Sequence, residues 1–329
     1  MTKICVYGAG AIGCYIGGRL LSAGADVAFV GRQRIGDELR EHGLILSDYL
    51  GKHWKLSDID FAGNPRDADL ILVTTKSAAT PRVAEELAGT KAIIVSFQNG
   101  IGNAATLRQT LPNLVLDGMV PFNVARIGPG RFHQGTSGQL AVMRSPELDP
   151  FVGWFAGGGL PLRQHDDMEA VLWAKLLLNL NNAINALADL PLKQELSKHA
   201  YRRCLAMAQN EALGLLRQAG IRPANLTPLP AHLIPHALNL PDPLFQIVGR
   251  RMLTMDPLAR SSMSDDLSAG RPTEVDWING EVVRLAERLG QRAPVNEGLC
   301  FLIHEAEKQR KSWPGNALLG ALIRRRSRP

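Results

Sequence analysis

Gly8-Ala9-Gly10-Ala11-Ile12-Gly13 lies between an apolar run, Lys3-Ile-Cys-Val-Tyr7, that reads as a β-strand, and a helix-like segment that ends at Gly24. A G-x-G-x-x-G hexapeptide is weak evidence alone and strong evidence when it follows a first strand and opens a helix. The three glycines then serve different ends. One permits a tight turn, one leaves an unobstructed approach for a pyrophosphate, and one lets the helix pack closely on the strand. The N–H groups and positive dipole at the helix start hold the phosphates. Residues 8–13 are therefore the expected cofactor-binding turn, and a dinucleotide is the expected ligand.

The next strand, Asp26-Val-Ala-Phe-Val30, is followed by Gly31-Arg32-Gln33-Arg34. A site for NAD would put Asp or Glu there to accept from the ribose 2′-hydroxyl. Arginine stands there instead, and its planar fork suits a 2′-phosphate. A solvated loop arginine is the bland alternative. The better reading is NADP(H), with Arg32 as a cofactor contact.

The chain has 329 residues, too many for one core and enough for two domains. A hydrophobic content of 45% and a charged content of 21% describe a globular chain. The net charge of +6 is concentrated at the end: without Arg324, Arg325, Arg326 and Arg328 it is +2. That tail reads as solvated and mobile, and with aromatics at 5% a nucleic-acid surface is not expected. Cys5, Cys14, Cys204 and Cys300 are scattered and form no CxxC, which fits reduced thiols in a cytoplasm. The histidines have no metal-site spacing, so no metal is expected. No apolar run reaches membrane length, because Lys175 and several asparagines interrupt the best candidate. A first strand beginning beside Met1 leaves no room for a signal peptide.

Short β-branched runs alternate with helical stretches through the first half. Asp69–Thr75, Lys91–Ser96 and Leu114–Met119 read as strands, with helices from Val83 to Leu87 and near Gly102 to Leu111. That rhythm predicts an α/β Rossmann-type, doubly wound parallel sheet. From Phe122 to about Met143, Gly-Pro-Gly and Gln-Gly-Thr turns predict short antiparallel strands that extend the sheet edge. Beyond Asp166, long helical runs follow: Met168 to about Leu190, Lys198 to Gly220 and Thr273 to Gly290. Between them, residues 223–257 are proline-rich and read either as irregular connection or as a loop over the site. The expected organisation is an NADP-binding domain over 1–166 and an all-α substrate domain over 167–329, with a cleft between them.

Lys175 is the most informative charge. It lies in Leu172-Trp-Ala-Lys-Leu-Leu-Leu-Asn, and Lys175, Asn179 and Asn182 fall at i, i+4 and i+7 on one face of an otherwise apolar helix. A buried lysine needs a partner or a function, and a depressed pKa suits a proton donor to a nascent alkoxide. A polar stripe facing solvent is the alternative. Thr273 and Asp276 fit a capping box that places Glu274 in the first turn of a helix. Ser261-Ser262 can cap a helix or bind a carboxylate. Lys76 and Gln98-Asn99-Gly100 follow strands at the sheet edge where cofactors bind in such folds.

Taken together, Gly8–Gly13, Val73-Thr-Thr-Lys76, Gln98-Asn-Gly100, Trp173-Ala-Lys175 with Asn179, Ser261-Ser-Met263, Thr273-Glu-Val-Asp276 and Asn279-Gly280 resemble the ketopantoate reductase family along essentially the whole chain. The resemblance implies NADPH-dependent reduction of the C2 ketone of ketopantoate to pantoate, on the route to pantothenate and coenzyme A. It implies that Lys175 is the general acid and that Glu274 lies beside the nicotinamide ribose and the reacting centre. It further implies that Asn99 sits at the cofactor–substrate junction, that Asn179 and Ser262 contact substrate, and that Arg32 and Lys76 clamp the 2′-phosphate. Asn182 joins the substrate set by its place on the stripe. The chain departs from the family pattern at Ala183 and near Leu192-Lys193, where further substrate-binding asparagines are expected. An NADP-dependent reductase of another 2-keto acid and a non-catalytic NADP(H)-binding regulator stay open, as does a homodimer.

Overall fold

Ile4 and Val6 face one side of the first strand and Cys5 and Tyr7 the other, and all four are buried in two separate apolar clusters. Such a strand is covered on both faces and belongs in the middle of a sheet. The structure is a computed structural model that describes residues 2–61, 64–249 and 259–326. The chain divides into two compact units, Met1–Met168 and Glu169–Pro329.

In chain order the first unit runs β1 (Lys3–Tyr7), α1 (Ala11–Ser22), β2 (Asp26–Val30), α2 (Gln33–His42), β3 (Leu44–Asp48), β4 (His53–Leu56), β5 (Leu70–Val73), α3 (Thr80–Glu86), β6 (Ile93–Ser96), α4 (Asn103–Thr110), β7 (Val115–Met119), β8 (Val124–Gly128), β9 (Arg131–Gln134), β10 (Ala141–Met143), α5 (Asp149–Gly157) and β11 (Arg163–His165). The main sheet has the order β11-β10-β7-β6-β5-β1-β2, and its five strands from β7 to β2 are parallel. The chain leaves β1 for β2 on one side and returns to β5 on the other. That reversal creates a switch point at the C-terminal ends of β1 and β5, where open α/β sheets bind ligands.

The expectation for residues 122–143 needs correction. Only β10 extends the main sheet, antiparallel to β7. The β8–β9 hairpin instead joins β3 and β4 in a separate sheet of order β4-β3-β9-β8. The cause is α1. Leu44 and Leu46 of β3 close on Gly18, where an added Cβ would lie 2.7 Å from Leu46. The Tyr15 hydroxyl donates to Gln134 Oε1 of β9 at 2.7 Å. Phe132 of β9 is thereby buried against the same apolar cluster as Tyr15, which an edge position would not achieve.

The second unit is helical: α6 (Met168–Asn179), α7 (Asn181–Ala188), α8 (Leu192–Leu196), α9 (His199–Gln218), α10 (Ile234–Leu238), α11 (Asp242–Val248), α12 (Ser262–Ser268), α13 (Val275–Arg288), α14 (Pro294–Lys308) and α15 (Gly315–Arg326). The single helix expected from Met168 to Leu190 is two, broken at Leu180 and closed by Asp189 in the left-handed region at φ 52°. The proline-rich stretch is more regular than expected. It carries α10 and α11, each with proline in its first turn, where proline's missing N–H costs nothing; residues 250–257 lie outside the described residues. The arginine tail is likewise not a loose end as far as Arg326: it finishes α15, and the Arg325 guanidinium lies 4.3 Å over the Phe301 ring. Arg328 lies outside the described residues. Among the described residues, no helix is long and apolar enough to cross a membrane.

Candidate active site

Tyr7 pairs with Val30 and Val73, and Val73 pairs with Ser96, so the C-terminal ends of β1, β2, β5 and β6 are level. Residues 8–13, Arg32, Lys76 and Asn99 follow those four strands and share one edge of the sheet. The glycine turn is built there from backbone bonds. Gly8 N and Ala9 N donate to Val30 O, Gly10 N donates to Gly8 O, and Thr74 Oγ1 donates to Gly8 O at 2.7 Å.

Steric space divides the three glycines. A Cβ on Gly8, whose φ is +119°, would lie 2.6 Å from Thr75 N; one on Gly13 would lie 2.2 Å from Gly8 O. A Cβ on Gly10 would meet nothing within 4 Å. The turn is closed against the protein at Gly8 and Gly13 and open at Gly10. Gly10 also forms the N-cap of α1 without any side-chain cap, so the first N–H groups of the helix are left for a ligand. This is a cradle a dinucleotide's phosphates fit.

Arg32 is exposed at the N-cap of α2, and Lys76 is exposed ahead of the 3-10 turn Ser77–Ala79. The loop with Asn99 is fixed by residues that sequence reasoning passed over. Ser77 Oγ and Asn103 Nδ2 donate to Asn99 O at 2.7 and 2.6 Å, and Thr80 Oγ1 donates to Asn103 Oδ1 at 2.9 Å. Gln98 is buried, donating to Thr80 and Thr75, and so braces the loop from within.

In the second unit, Val171, Leu172, Trp173, Ala174, Leu176, Leu177 and Leu180 are all buried around α6. Lys175, Leu178, Asn179 and, across the break, Asn182 are only half-buried and lie along one stripe, while Glu169 is exposed in the first turn. Burial around Lys175 pulls its pKa down from 10.5 to about 8. The ammonium is then still the main form at neutral pH, and it gives up its proton far more readily than an exposed lysine.

The two serines separate. Ser261 is the N-cap of α12, its Oγ accepting from Ser264 N at 3.1 Å, while Ser262 is exposed in the first turn. Glu274 requires a correction. It is itself the N-cap of α13, and no capping box forms, because Thr273 Oγ1 takes the N–H of Val275 at 3.4 Å and its own N–H goes to Glu307. Asn279 is fully buried and donates to Asn296 Oδ1, which with Glu211 ties α13, α14 and α9 together. Its place in the motif is structural.

The structure thus gathers residues 8–13, Arg32, Lys76 and Asn99 at one sheet edge. It gathers Lys175, Asn179 and Asn182 on one stripe, with Ser262 held beside α7, and it leaves Glu274 at the start of α13. Sequence reasoning missed Asn185 and Glu195, both fully buried. Asn181 and Asn185 at i and i+4 were the only available signal. A glutamate in a short polar segment gives none.

The sequence model of the family Ketopantoate reductase PanE/ApbA matches residues 4–147, and that of its C-terminal domain, Ketopantoate reductase PanE/ApbA C terminal, matches residues 167–307. A 2-dehydropantoate 2-reductase of Archaeoglobus fulgidus is 27% identical over 93% of this chain and 98% of its own length. The uncharacterized oxidoreductase YkpB of Bacillus subtilis is 28% identical over 93% and 100%. The crystal structure of a PanE/ApbA family ketopantoate reductase from Ralstonia eutropha JMP134 superposes with a TM-score of 0.79 at 28% identity, covering 94% of this chain and 99% of that one. A ternary structure of D-mandelate dehydrogenase with NADH and anilino(oxo)acetate, at 21% identity and a TM-score of 0.78 over 94% and 99%, has the same fold. This chain is an NADP-dependent oxidoreductase and belongs to the ketopantoate reductase family.

Proposed function

We propose that the chain reduces the C2 ketone of 2-dehydropantoate to pantoate, with residues 1–166 binding NADP(H) and residues 167–329 binding substrate and providing the acid. NADPH supplies the hydride. The chain's own share is to align the two reactants and stabilise the alkoxide as it forms. Lys175 Nζ–H protonates the carbonyl oxygen and is itself reprotonated from solvent. Asn179, Asn182 and Ser262 hydrogen-bond the keto acid. Asn99 stands at the junction of cofactor and substrate, Glu274 lies beside the nicotinamide ribose and the reacting centre, and Arg32 and Lys76 hold the 2′-phosphate. The observation that carries this reading is Lys175: the one cation in α6, its pKa brought down to about 8 by burial, one turn from Asn179.

A second reading, reduction of another 2-keto acid, is favoured by Ala183, which is apolar, fully buried and offers no amide to a substrate hydroxyl. A panel of ketopantoate, pyruvate and 2-oxoisovalerate, followed by loss of nicotinamide absorbance, decides between them. Ketopantoate is expected to outcompete the others, because a site built to hydrogen-bond its 4-hydroxyl rejects analogues lacking it. Turnover of another keto acid with none of ketopantoate would overturn the substrate and leave the chemistry standing.

A further inference from the structure

The segment that carries Ser262 is fastened to α7 and the turn after it. Ala259 O accepts from Leu192 N at 2.8 Å, and Arg260 Nη1 donates to Asp189 Oδ1 at 2.7 Å. Ser261 N donates to Asn185 Oδ1 at 2.9 Å, and Ser261 Oγ donates to Asn182 O at 3.2 Å. Asn185 is the hub. Its Nδ2 donates to Leu190 O at 2.9 Å and to Glu195 Oε2 at 3.4 Å, and Asn181 Nδ2 donates to the same carboxyl oxygen at 2.9 Å. Asn185 and Glu195 are fully buried, and Glu195 Oε1 has no hydrogen-bond partner among the described residues. An amide can turn over and exchange its donor for its acceptor; the Leu190 carbonyl, which can only accept, prevents that together with the Glu195 oxygen beside it, and so leaves Asn185 Oδ1 directed at Ser261 N–H.

We propose that Glu195 and Asn185 are positioning residues for substrate: Glu195, with the Leu190 carbonyl, holds the α7 amides in place, and Asn185 holds the Ser261 N–H so that the neighbouring Ser262 meets the keto acid beside the Lys175–Asn179–Asn182 stripe. The inference rests on the proposed role of Ser262 as a substrate contact. Burial pushes the Glu195 carboxyl up to about 8, so it is held neutral at physiological pH. Tyr201 and Cys204 of α9 lie within its electrostatic reach, and the amides of α7 donate to it. A neutral carboxyl here is a hydrogen-bonding device, which glutamine can imitate.

The experiment measures keto-acid KM, kcat and NADPH Kd for Glu195→Leu, Glu195→Gln, Asn185→Ala and Ser262→Ala, and for the double variant Asn185→Ala/Ser262→Ala. Glu195→Leu and Asn185→Ala should each raise KM about 10-fold, with kcat changed less than about threefold and Kd for NADPH unchanged, as loss of a substrate-binding contact predicts. Glu195→Gln should restore KM to within about twofold of wild type. Ser262→Ala should raise KM about 10-fold alone and add less than about twofold in the Asn185→Ala background, because the hydroxyl is already displaced there. Should Glu195→Leu fail to melt cooperatively, Glu195→Asp, which withdraws the carboxyl by one methylene, takes its place with the same expected rise. Multiplying effects in the double variant, or an unchanged KM in Asn185→Ala, would overturn the positioning role while leaving Ser262 a contact. An unchanged KM in Ser262→Ala overturns the Ser262 reading itself, and this inference falls with it.

Discussion

Lys175 is held in a helix whose other faces are packed, and its charge therefore costs stability. Its folded pKa of about 8 lies below the ordinary 10.5. The unfolded chain binds the extra proton between those values, so this residue's contribution to stability rises with pH through that window and is a penalty below it. Lys175→Met should accordingly gain on the order of 1 kcal/mol at pH 7, a figure reduced because the side chain is only half-buried, while turnover falls about 10²- to 10⁴-fold and NADPH affinity holds. A thermal melt and a single-turnover assay on the same preparation check both halves; a destabilised variant, or undiminished turnover, would contradict them. At the other site, Arg32→Asp should weaken NADPH by about 2 kcal/mol and NADH much less, since only the former carries a 2′-phosphate. Equal losses in a binding titration would remove Arg32 from that role. The Lys175 stripe was legible because helical periodicity exposes a polar residue on an apolar face. Asn185 and Glu195 were not, because their pairing spans a turn and depends on where Leu190 and Ser261 fold back.

Among the elements, the β1–α1 turn makes a prediction that separates folding from binding. Gly10→Ala adds a methyl that meets no protein atom within 4 Å, at an extended backbone of φ −87° and ψ −169° that alanine adopts freely. Its melting temperature should match wild type, while NADPH affinity falls at least about tenfold, because the methyl occupies the side from which the pyrophosphate approaches. Gly13→Ala puts a methyl 2.2 Å from Gly8 O and 2.5 Å from Thr74 Oγ1. The closer of the two clashes is with backbone, so the loss should be about 3 kcal/mol in a denaturant melt before any ligand is added. If Gly10→Ala binds NADPH normally, the phosphates do not sit on this turn. The turn and the parallel strands were readable because each is announced by its neighbours in sequence. The second sheet was not, since β3 and β9 are parallel partners more than eighty residues apart that meet over α1, where Leu44 and Leu46 close on Gly18 and Tyr15 holds Gln134. The break at Leu180 was also hidden, because Leu180 is apolar and fits the helical pattern on both sides of it.

For the molecule as a whole, the buried carboxyl of Glu195 ties stability to pH. Its folded pKa of about 8 lies above the ordinary 4.5. Between those values the native protein holds a proton that the unfolded chain has lost, so unfolding becomes easier as pH rises from about 4.5 to 8 and no further penalty accrues above that. The glutamine variant keeps the hydrogen-bond acceptor and has no proton to lose. Glu195→Gln and wild type should therefore melt together near pH 5 and diverge steadily to pH 8, where the variant should be the more stable by on the order of 2 kcal/mol. Glu211 and Asp265, whose carboxyls burial also pushes up, contribute slopes of the same sign, but they are present in both proteins and cancel in the difference. Chemical denaturation at three pH values measures that difference directly. A gap independent of pH would mean that Glu195 does not change its charge on unfolding across this range. A gap that opens only below pH 5 would mean that the carboxyl is ionised in the native core, stabilised by its two amides against the cost of burial.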